Sequence, residues 1–422
     1  MGALRRLGYF LLLAASGFAV PLQAQKIAVI ADHLYTMNGG RPGEPGMVLI
    51  SGGKIEAVHA GANAQAPAGY QVFRAAYVTP GLIDTDSTVG ISGAYNIPHD
   101  QDEDETTDPN TADVRSLDSF NPDEMLLKYV NRYGVTTVQS APGPRNPIAG
   151  RAGIFKTRGP ESPLVTADQL AIRTESAIIF NLGDIPKLTY GEKHKPPMTR
   201  MKTAEIIRKA LWDTQAYQEK WDKWKKEGSD VSKQPSRDQK LEALGPLVAG
   251  TIPAIFTVYR ADDIITAIRI GSEFHLKYML AHVTEGYLVR DEIHKAGVPC
   301  LVGPIMERPE SPQTVNATYE IAALLEQAGI PMALMTGHEG YVPKNRVLLF
   351  EAAIAAGNGL GMEKALRAVT IEAAQILGIQ DRVGSLTSGK DADVVLFDGD
   401  PFEYTSHVLG VIVSGQVSYQ GK

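Results

Sequence analysis

Cysteine is almost absent. One residue, Cys300, stands in 422, inside the apolar run Val298-Pro299-Cys300-Leu301-Val302. No internal disulfide can form, and a lone thiol in such a run reads as a buried, inert side chain. The core must therefore hold the fold, and a chain of this length can build one large enough. Basic charge is also in deficit: 41 Lys and Arg stand against 48 Asp and Glu, for a net charge of −7. That argues against nucleic acid or anionic lipid as a partner. No Gly-x-Ser-x-Gly turn is present, so a serine hydrolase has no nucleophile elbow. A glycine-rich phosphate loop is missing too, which removes the usual support for an open nucleotide-binding sheet. Beyond the N-terminus, no segment is apolar for long enough to cross a bilayer.

The N-terminus is the one apolar exception. Arg5 and Arg6 precede an apolar stretch from Leu7 to Val20, and Leu22-Gln23-Ala24 follows with a small-residue ending. This is the layout of a secretory leader over residues 1–24, and it predicts an exported chain, periplasmic in a bacterium. No cysteine adjoins the cut, so a lipid-anchored form is not expected.

What is abundant is turn chemistry, with 41 Gly and 26 Pro. Residues 25–79 read as short strands broken by Asn38-Gly39-Gly40, Pro42-Gly43 and Ser51-Gly52-Gly53. Residues 380–422 read the same way, and the two stretches predict one composite β-sandwich domain. Between them, over 80–379, buried apolar runs alternate with helical patterns. Examples are 253–259 before 262–274, 277–282 before 285–296, and 331–336 before 347–356. Such alternation argues a parallel sheet, and a count near eight favours a closed (β/α)8 TIM-like barrel over an open doubly wound sheet.

Two insertions interrupt the alternation. Residues 99–108 carry six acidic side chains between His99 and Asp108, and read either as a solvated loop or as a lid over the barrel mouth. Residues 203–250 carry all three tryptophans, Trp212, Trp221 and Trp224, at helical spacing. Core packing accounts for them; an aromatic wall beside a ligand is the other reading.

Specific motifs then point to a family. Pro80-Gly81-Leu82-Ile83-Asp84 resembles the first barrel strand of the amidohydrolase superfamily. Gly384-Ser385 with Gly389-Lys390-Asp391-Ala392-Asp393-Val394-Val395 resembles its C-terminal signature. Arg260-Ala261-Asp262-Asp263-Ile264, with Ala281-His282-Val283-Thr284-Glu285-Gly286, is similar to imidazolonepropionase-like members. The resemblance covers nearly the whole mature chain. It implies hydrolysis of non-peptide C–N bonds in small or cyclic amides. It also implies one or two metals that polarise the carbonyl and acidify a bound water.

The ligands that such a centre needs are largely replaced. Asp86 and Thr88 stand where a His-x-His pair is expected, Thr257 and Tyr259 where a second such pair occurs, and Gly337 where an aspartate occurs. Only His282 keeps a ligand position. Hydroxyls and glycine are poor zinc ligands. The resemblance leaves Asp86 and His282 as the candidate catalytic pair and His282 as the candidate metal ligand. Lys156, Tyr259, Arg260 and His338 remain as candidate substrate contacts. Lys156 is expected to end an early strand and to pair with Asp84 or Asp86, with Arg260 as a substitute, while His338 reads as a loop residue facing solvent. A site regrouped from Asp86, His282 and a shifted His338 or Glu339 is an alternative.

Three functions follow. The first is a degenerate member without cofactor that binds a small-molecule ligand, or dimerises with itself or an intact amidohydrolase paralogue. The second is an active hydrolase with at most one zinc. The third is a pure interaction subunit with a filled barrel mouth. Neither nucleic acid nor membrane insertion is expected.

Overall fold

The computed structural model of the chain describes residues 26–62, 64–160, 162–338 and 347–421. Residues 1–24, the expected leader, and Glu339 lie outside them. Among the described residues, fifteen strands form two sheets. The first sheet draws on both chain ends. From the N-terminal side come β1 (Ile27–Leu34), β2 (Glu44–Ser51), β3 (Lys54–Ala60) and β4 (Gln71–Pro80). The C-terminal side supplies β13 (Val394–Phe397), β14 (Val408–Val413) and β15 (Gln416–Gln420). Their order is β15-β14-β13-β4-β1-β2-β3. One apolar cluster takes side chains from across this sheet, including Val58 of β3 and Val417 of β15 at its opposite edges. A sheet whose edges share one core is curled over on itself, as a sandwich requires.

The second sheet is the barrel. Its strands are β5 (Leu82–Ser87), β6 (Val135–Ser140), β7 (Ile148–Lys156), β8 (Ala171–Asn181), β9 (Ala254–Val258), β10 (Tyr278–His282), β11 (Cys300–Val302) and β12 (Met332–Leu334). They pair in sequence order. The ring closes where Gly337 N donates to Asp86 O at 3.0 Å and Thr85 Oγ1 to Leu334 O at 3.1 Å. Period-two alternation divides the side chains. Ile179, Ile255, Met279, Leu301 and Ala333 fill the barrel interior. Phe180, Phe256, Leu280, Val302 and Leu334 belong to the larger cluster with the surrounding helices. Cys300 is fully buried, and burial pushes its thiol up to about 12.

One strand breaks the expected parallel order. β7 runs antiparallel to both β6 and β8, while every other neighbouring pair in this sheet is parallel. The cause is the length of the connection. Residues 141–147 join β6 to β7, with prolines at 142, 144 and 147. A parallel return needs a crossover of roughly a dozen residues or more. The C-terminal end of β7 therefore lies at the bottom of the barrel, opposite the mouth.

The tryptophans lie on the second insertion, and Trp212 packs on the core residue Phe274, with ring centroids 5.6 Å apart. The helix Arg200–Lys226 buries Thr203, Ala204, Ile207, Ala210, Leu211 and Thr214 in its first half. Trp212 is half exposed, and Trp221 packs edge-on against Trp224 at 5.4 Å and lines, with Tyr217, Arg237 and Glu242, a cavity of about 650 Å³. Among the described residues, no helix is long and apolar enough to cross a membrane.

Candidate functional site

The polar residues at the C-terminal ends of β5, β10 and β12 converge at the barrel mouth. Asp84 faces β12, where its carboxylate accepts from Thr336 N at 3.1 Å and Thr336 Oγ1 at 2.5 Å. Burial pushes its pKa up to about 7, and the nearby Asp86 adds to the rise. This carboxyl fastens the first strand to the last.

Asp86 is fully buried. Its Oδ1 lies 3.3 Å from His338 Nε2, and neither carboxylate oxygen accepts an aligned hydrogen bond among the described residues. Among the described residues, both ring nitrogens of His338 and both of His282 are buried without an aligned partner as well. Buried polar atoms are normally satisfied, so such a group marks a functional position or a place for water or ligand. Burial by itself would lower the pKa of His338, but the charge of Asp86, helped by Asp104 and Glu103, outweighs it and raises the pKa. His282 behaves oppositely: burial and the neighbouring His338 push it down to about 3, so its ring is neutral.

Backbone strain concentrates at the same place. His282 has φ 69° and Val283 φ 49°, in the left-handed region that non-glycine residues seldom occupy. The His282 ring stacks on Tyr259, with centroids 4.5 Å apart, and lies 6.2 Å from the His338 ring. Gly337 has φ +72°, and a Cβ there would come within 2.9 Å of His282 Cε1. The histidine ring thus fills the space that a side chain at 337 would need.

This arrangement tests the metal centre that the resemblance implies. Thr88, Thr257 and Gly337 supply no good ligand, and an aspartate at 337 is sterically incompatible with the His282 ring as placed. No group of three or more His, Cys, Asp or Glu side chains gathers as a metal site among the described residues. The residues present do not fit the implied centre.

Two cavities open over the cluster. One, of about 410 Å³, is lined by Thr88, Ser92, Gln101, Glu103, Asp104, Arg145 and His338, among others. The second, of about 370 Å³, is lined by Tyr259, His282, Glu307, Arg308, Gln313 and His338. Ile185 and His338 line both. Asp86, Lys156 and Arg260, expected to line an open cavity at the mouth, line neither of the two.

The acidic insertion is a wall of the first cavity. Gly143 N donates to Glu103 O at 2.7 Å, Arg145 N to Asp104 Oδ1 at 3.1 Å, and Asn146 Nδ2 to Glu105 O. Tyr190 Oη in turn donates to Asn146 Oδ1 at 2.7 Å. So many backbone ties fix the segment against the loop after β6.

The candidate residues separate clearly. Asp86, Tyr259, His282 and His338 come together at the mouth. His338 is buried, with its side chain 3% exposed, and does not face solvent as a loop residue would. It replaces His282 as the imidazole beside Asp86. Arg260 turns away to Asp262 at 3.0 Å, on the half-exposed start of the helix Ala261–Glu273. Lys156 is at the other end of the barrel, because β7 runs antiparallel. It pairs there with Asp393 and, at 3.3 Å, with Asp391, so the expected pairing with Asp84 or Asp86 does not occur. Asp391 also meets Lys54 at 2.6 Å and Arg382 at 2.8 Å. The C-terminal signature thus supplies the carboxylates that join the two sheets. Glu103 and Asp104 belong to the insertion read as a solvated loop or a lid over the mouth, while sequence reasoning missed Ile185 and Arg145 as cavity residues. The motif Gly183-Asp184-Ile185-Pro186 was a signal for the first of them.

Comparison with known proteins gives concordant results. A sequence model described as amidohydrolase family matches residues 332–419. The crystal structure of an amidohydrolase from Thermotoga maritima MSB8 superposes with a TM-score of 0.87. It is 31% identical, and the match covers 94% of this chain and 100% of that one. The amidohydrolase tasK of Hapsidospora irregularis is 26% identical over 366 residues, 81% of this chain and 36% of that protein. An imidazolonepropionase of Syntrophobacter fumaroxidans is 32% identical over 104 residues, 24% of each chain. The chain thus spans about a third of the length of the first of these curated relatives and about a quarter of the second.

Proposed function

The chain belongs to the amidohydrolase superfamily, on its imidazolonepropionase-like side, and from that premise we propose that it is a member without the metal centre that binds a small molecule at the barrel mouth. One observation carries the reading: two cavities share His338, one of them is also lined by His282, and the buried polar atoms of Asp86, His282 and His338 lack aligned partners among the described residues. The ligand positions of the family are occupied by hydroxyls, glycine and a carboxylate, yet the space above them is open. A scaffold kept only for contacts with other chains has no use for such a space. Export to a periplasm is part of the proposal and rests on Arg5, Arg6 and the apolar stretch after them. Dimerisation with itself or an amidohydrolase paralogue remains part of it too, and size-exclusion chromatography with light scattering checks the first.

The central test is metal analysis with a thermal-shift screen of small polar compounds on the purified chain. The expected result is far less than one zinc per chain and at least one stabilising compound. That stabilisation should vanish in Ile185→Trp, which fills the junction of the cavities. Near-stoichiometric zinc would sink the metal-free part. A screen without hits, or hits indifferent to Ile185→Trp, would sink the pocket.

A further inference from the structure

We infer that the cavity between the helices Arg200–Lys226 and Gln239–Val248 is a binding site for a neutral sugar, with the Trp221 ring as its stacking platform. The site shares no lining residue with the two mouth cavities, so it stands or falls independently of the pocket proposed above. Its volume of about 650 Å³ lies within the ~300–1,000 Å³ usual for small-molecule sites.

The walls are fastened before any ligand arrives. Tyr217 Oη donates to Glu242 Oε1 at 2.9 Å and Gln218 Nε2 to Gly245 O at 3.1 Å, which ties the two helices together across the cavity. Trp224 Nε1 donates to Asp230 O at 2.7 Å and holds the intervening loop on the first helix. Trp221 packs against both neighbouring rings, Tyr217 at 6.0 Å and Trp224 at 5.4 Å and nearly perpendicular. Its indole N–H is buried beside Tyr217 and has no aligned partner among the described residues. The ring is only part-buried and lines the cavity, so core packing does not use all of it. A side chain held this way loses little freedom when a ligand settles on it.

Charge decides the class of ligand. Two cations, Lys225 and Arg237, and two carboxylates, Asp222 and Glu242, line the cavity. Arg237 grips Glu242 through two bonds, at 2.8 and 2.5 Å, and Lys225 Nζ lies 3.8 Å from Asp222. A phosphate or carboxylate would have to displace Glu242 from Arg237, and a cation would have to displace Arg237 from Glu242. Neither gains net attraction, which leaves a neutral ligand. The polar groups then specify hydroxyls. The Gln218 and Gln234 amides and the Arg237–Glu242 fork each set a donor beside an acceptor, and a hydroxyl is both. A pyranose carries a rim of hydroxyls around a face of C–H groups, and that face is what an indole ring accepts. A flat aromatic compound would use the ring and leave the amides and the fork without partners.

The test titrates the full-length mature chain with methyl glucoside, methyl galactoside, maltose and cellobiose, followed by tryptophan fluorescence and saturation-transfer NMR. All three tryptophans sit on this one helix, so the emission reports the site. The expected result is saturable binding of at least one of these sugars, unchanged between about 50 mM and 500 mM salt because the ligand is uncharged. Trp221→Ala should weaken it at least ~10-fold. Gln234→Ala, at an exposed position, should weaken it ~3-fold or more. Trp212→Phe, outside the cavity, should leave it unchanged. If Trp221→Ala does not fold, Gln234→Ala decides. No saturable binding of any of the four, or an affinity indifferent to the Trp221 and Gln234 variants, overturns the site. Glucuronate or glucosamine binding more than ~10-fold tighter than glucose would overturn the neutral class. So would p-nitrophenol binding as tightly as p-nitrophenyl glucoside, since the hydroxyls would then contribute nothing. Loss of sugar binding in Ile185→Trp would move the sugar to the mouth and refute this cavity.

Discussion

The two ends of the barrel treat buried charge in opposite ways. At the bottom, Lys156 is enclosed by Asp391 and Asp393, and Asp391 is met in addition by Lys54 and Arg382. Asp393 Oδ1 also accepts from Ser414 N at 2.9 Å. At the mouth, among the described residues, Asp86 has one imidazole at 3.3 Å, and six polar atoms of Asp86, His282 and His338 lack aligned partners. Satisfied networks rigidify, whereas unsatisfied ones leave a site that only a ligand, water or a reacting group completes. The bottom thus reads as the joint of the fold and the mouth as its working surface.

The sharpest way to break this comparison is Lys156→Met. It leaves Asp393 buried with no cation beside it, and a broken buried pair costs about 3–5 kcal/mol. Urea unfolding should show the loss as a lower midpoint at unchanged slope. Replacing the partner as well, in Lys156→Met with Asp393→Leu, should restore part of it, because a well-packed apolar pair avoids the desolvation cost. A loss under ~1 kcal/mol for Lys156→Met would mean that the bottom network is no joint.

Gly337→Ala comes next. The backbone there is left-handed and the new Cβ meets the His282 ring at 2.9 Å. The expected cost is about 1–3 kcal/mol, read as a drop in thermal midpoint. His282→Ala in the same chain should relieve the contact portion and leave the backbone portion.

The pH dependence of stability separates the ends by sign. Burial raises Asp84 to about 7 against an unfolded value near 4. Its contribution is fully present below pH ~4 and is lost as pH rises towards ~7, at up to ~1.4 kcal/mol per pH unit. Asp391 is shifted the other way: burial would raise it, but Lys156, Lys54 and Arg382 prevail and lower it. Its contribution is present above pH ~4 and is lost as pH falls below that. Unfolding titrations from pH 3 to 8 should therefore lose their upper slope in Asp84→Asn and their lower slope in a variant lacking Lys156.

The fold was legible in the sequence because its signals are local. Pro80 to Asp84 and the signature at 389–393 name the scaffold, and period-two apolar runs place the strands. Lys156 was misplaced because its strand was taken as parallel. The contrary signal was present, in a connection over 141–147 too short and too rich in proline for a crossover. His338 was misread for a different reason. Next to a glycine in a loop, nothing local says that it is buried; its contact with Asp86 joins residues 252 positions apart and exists only when the barrel closes. Asp391 and Asp393 illustrate the same point. As letters they are a family signature, and only the tertiary fold shows them holding the lysine.

The smallest predicted effect is also the most discriminating. Asp86→Asn removes a buried charge whose one partner is a poorly aligned imidazole, while keeping its shape. Removing an ill-satisfied buried charge recovers its desolvation cost, which offsets the lost attraction to His338. The expected change in unfolding free energy is within ~1 kcal/mol, and a gain is as consistent with the comparison as no change. Lys156→Met and Asp86→Asn both delete one charge from a fully enclosed pair in the same barrel. Equal costs would show that burial alone sets the penalty at either end. A large cost at the bottom and almost none at the mouth would show that the mouth carries its carboxylate for something other than stability.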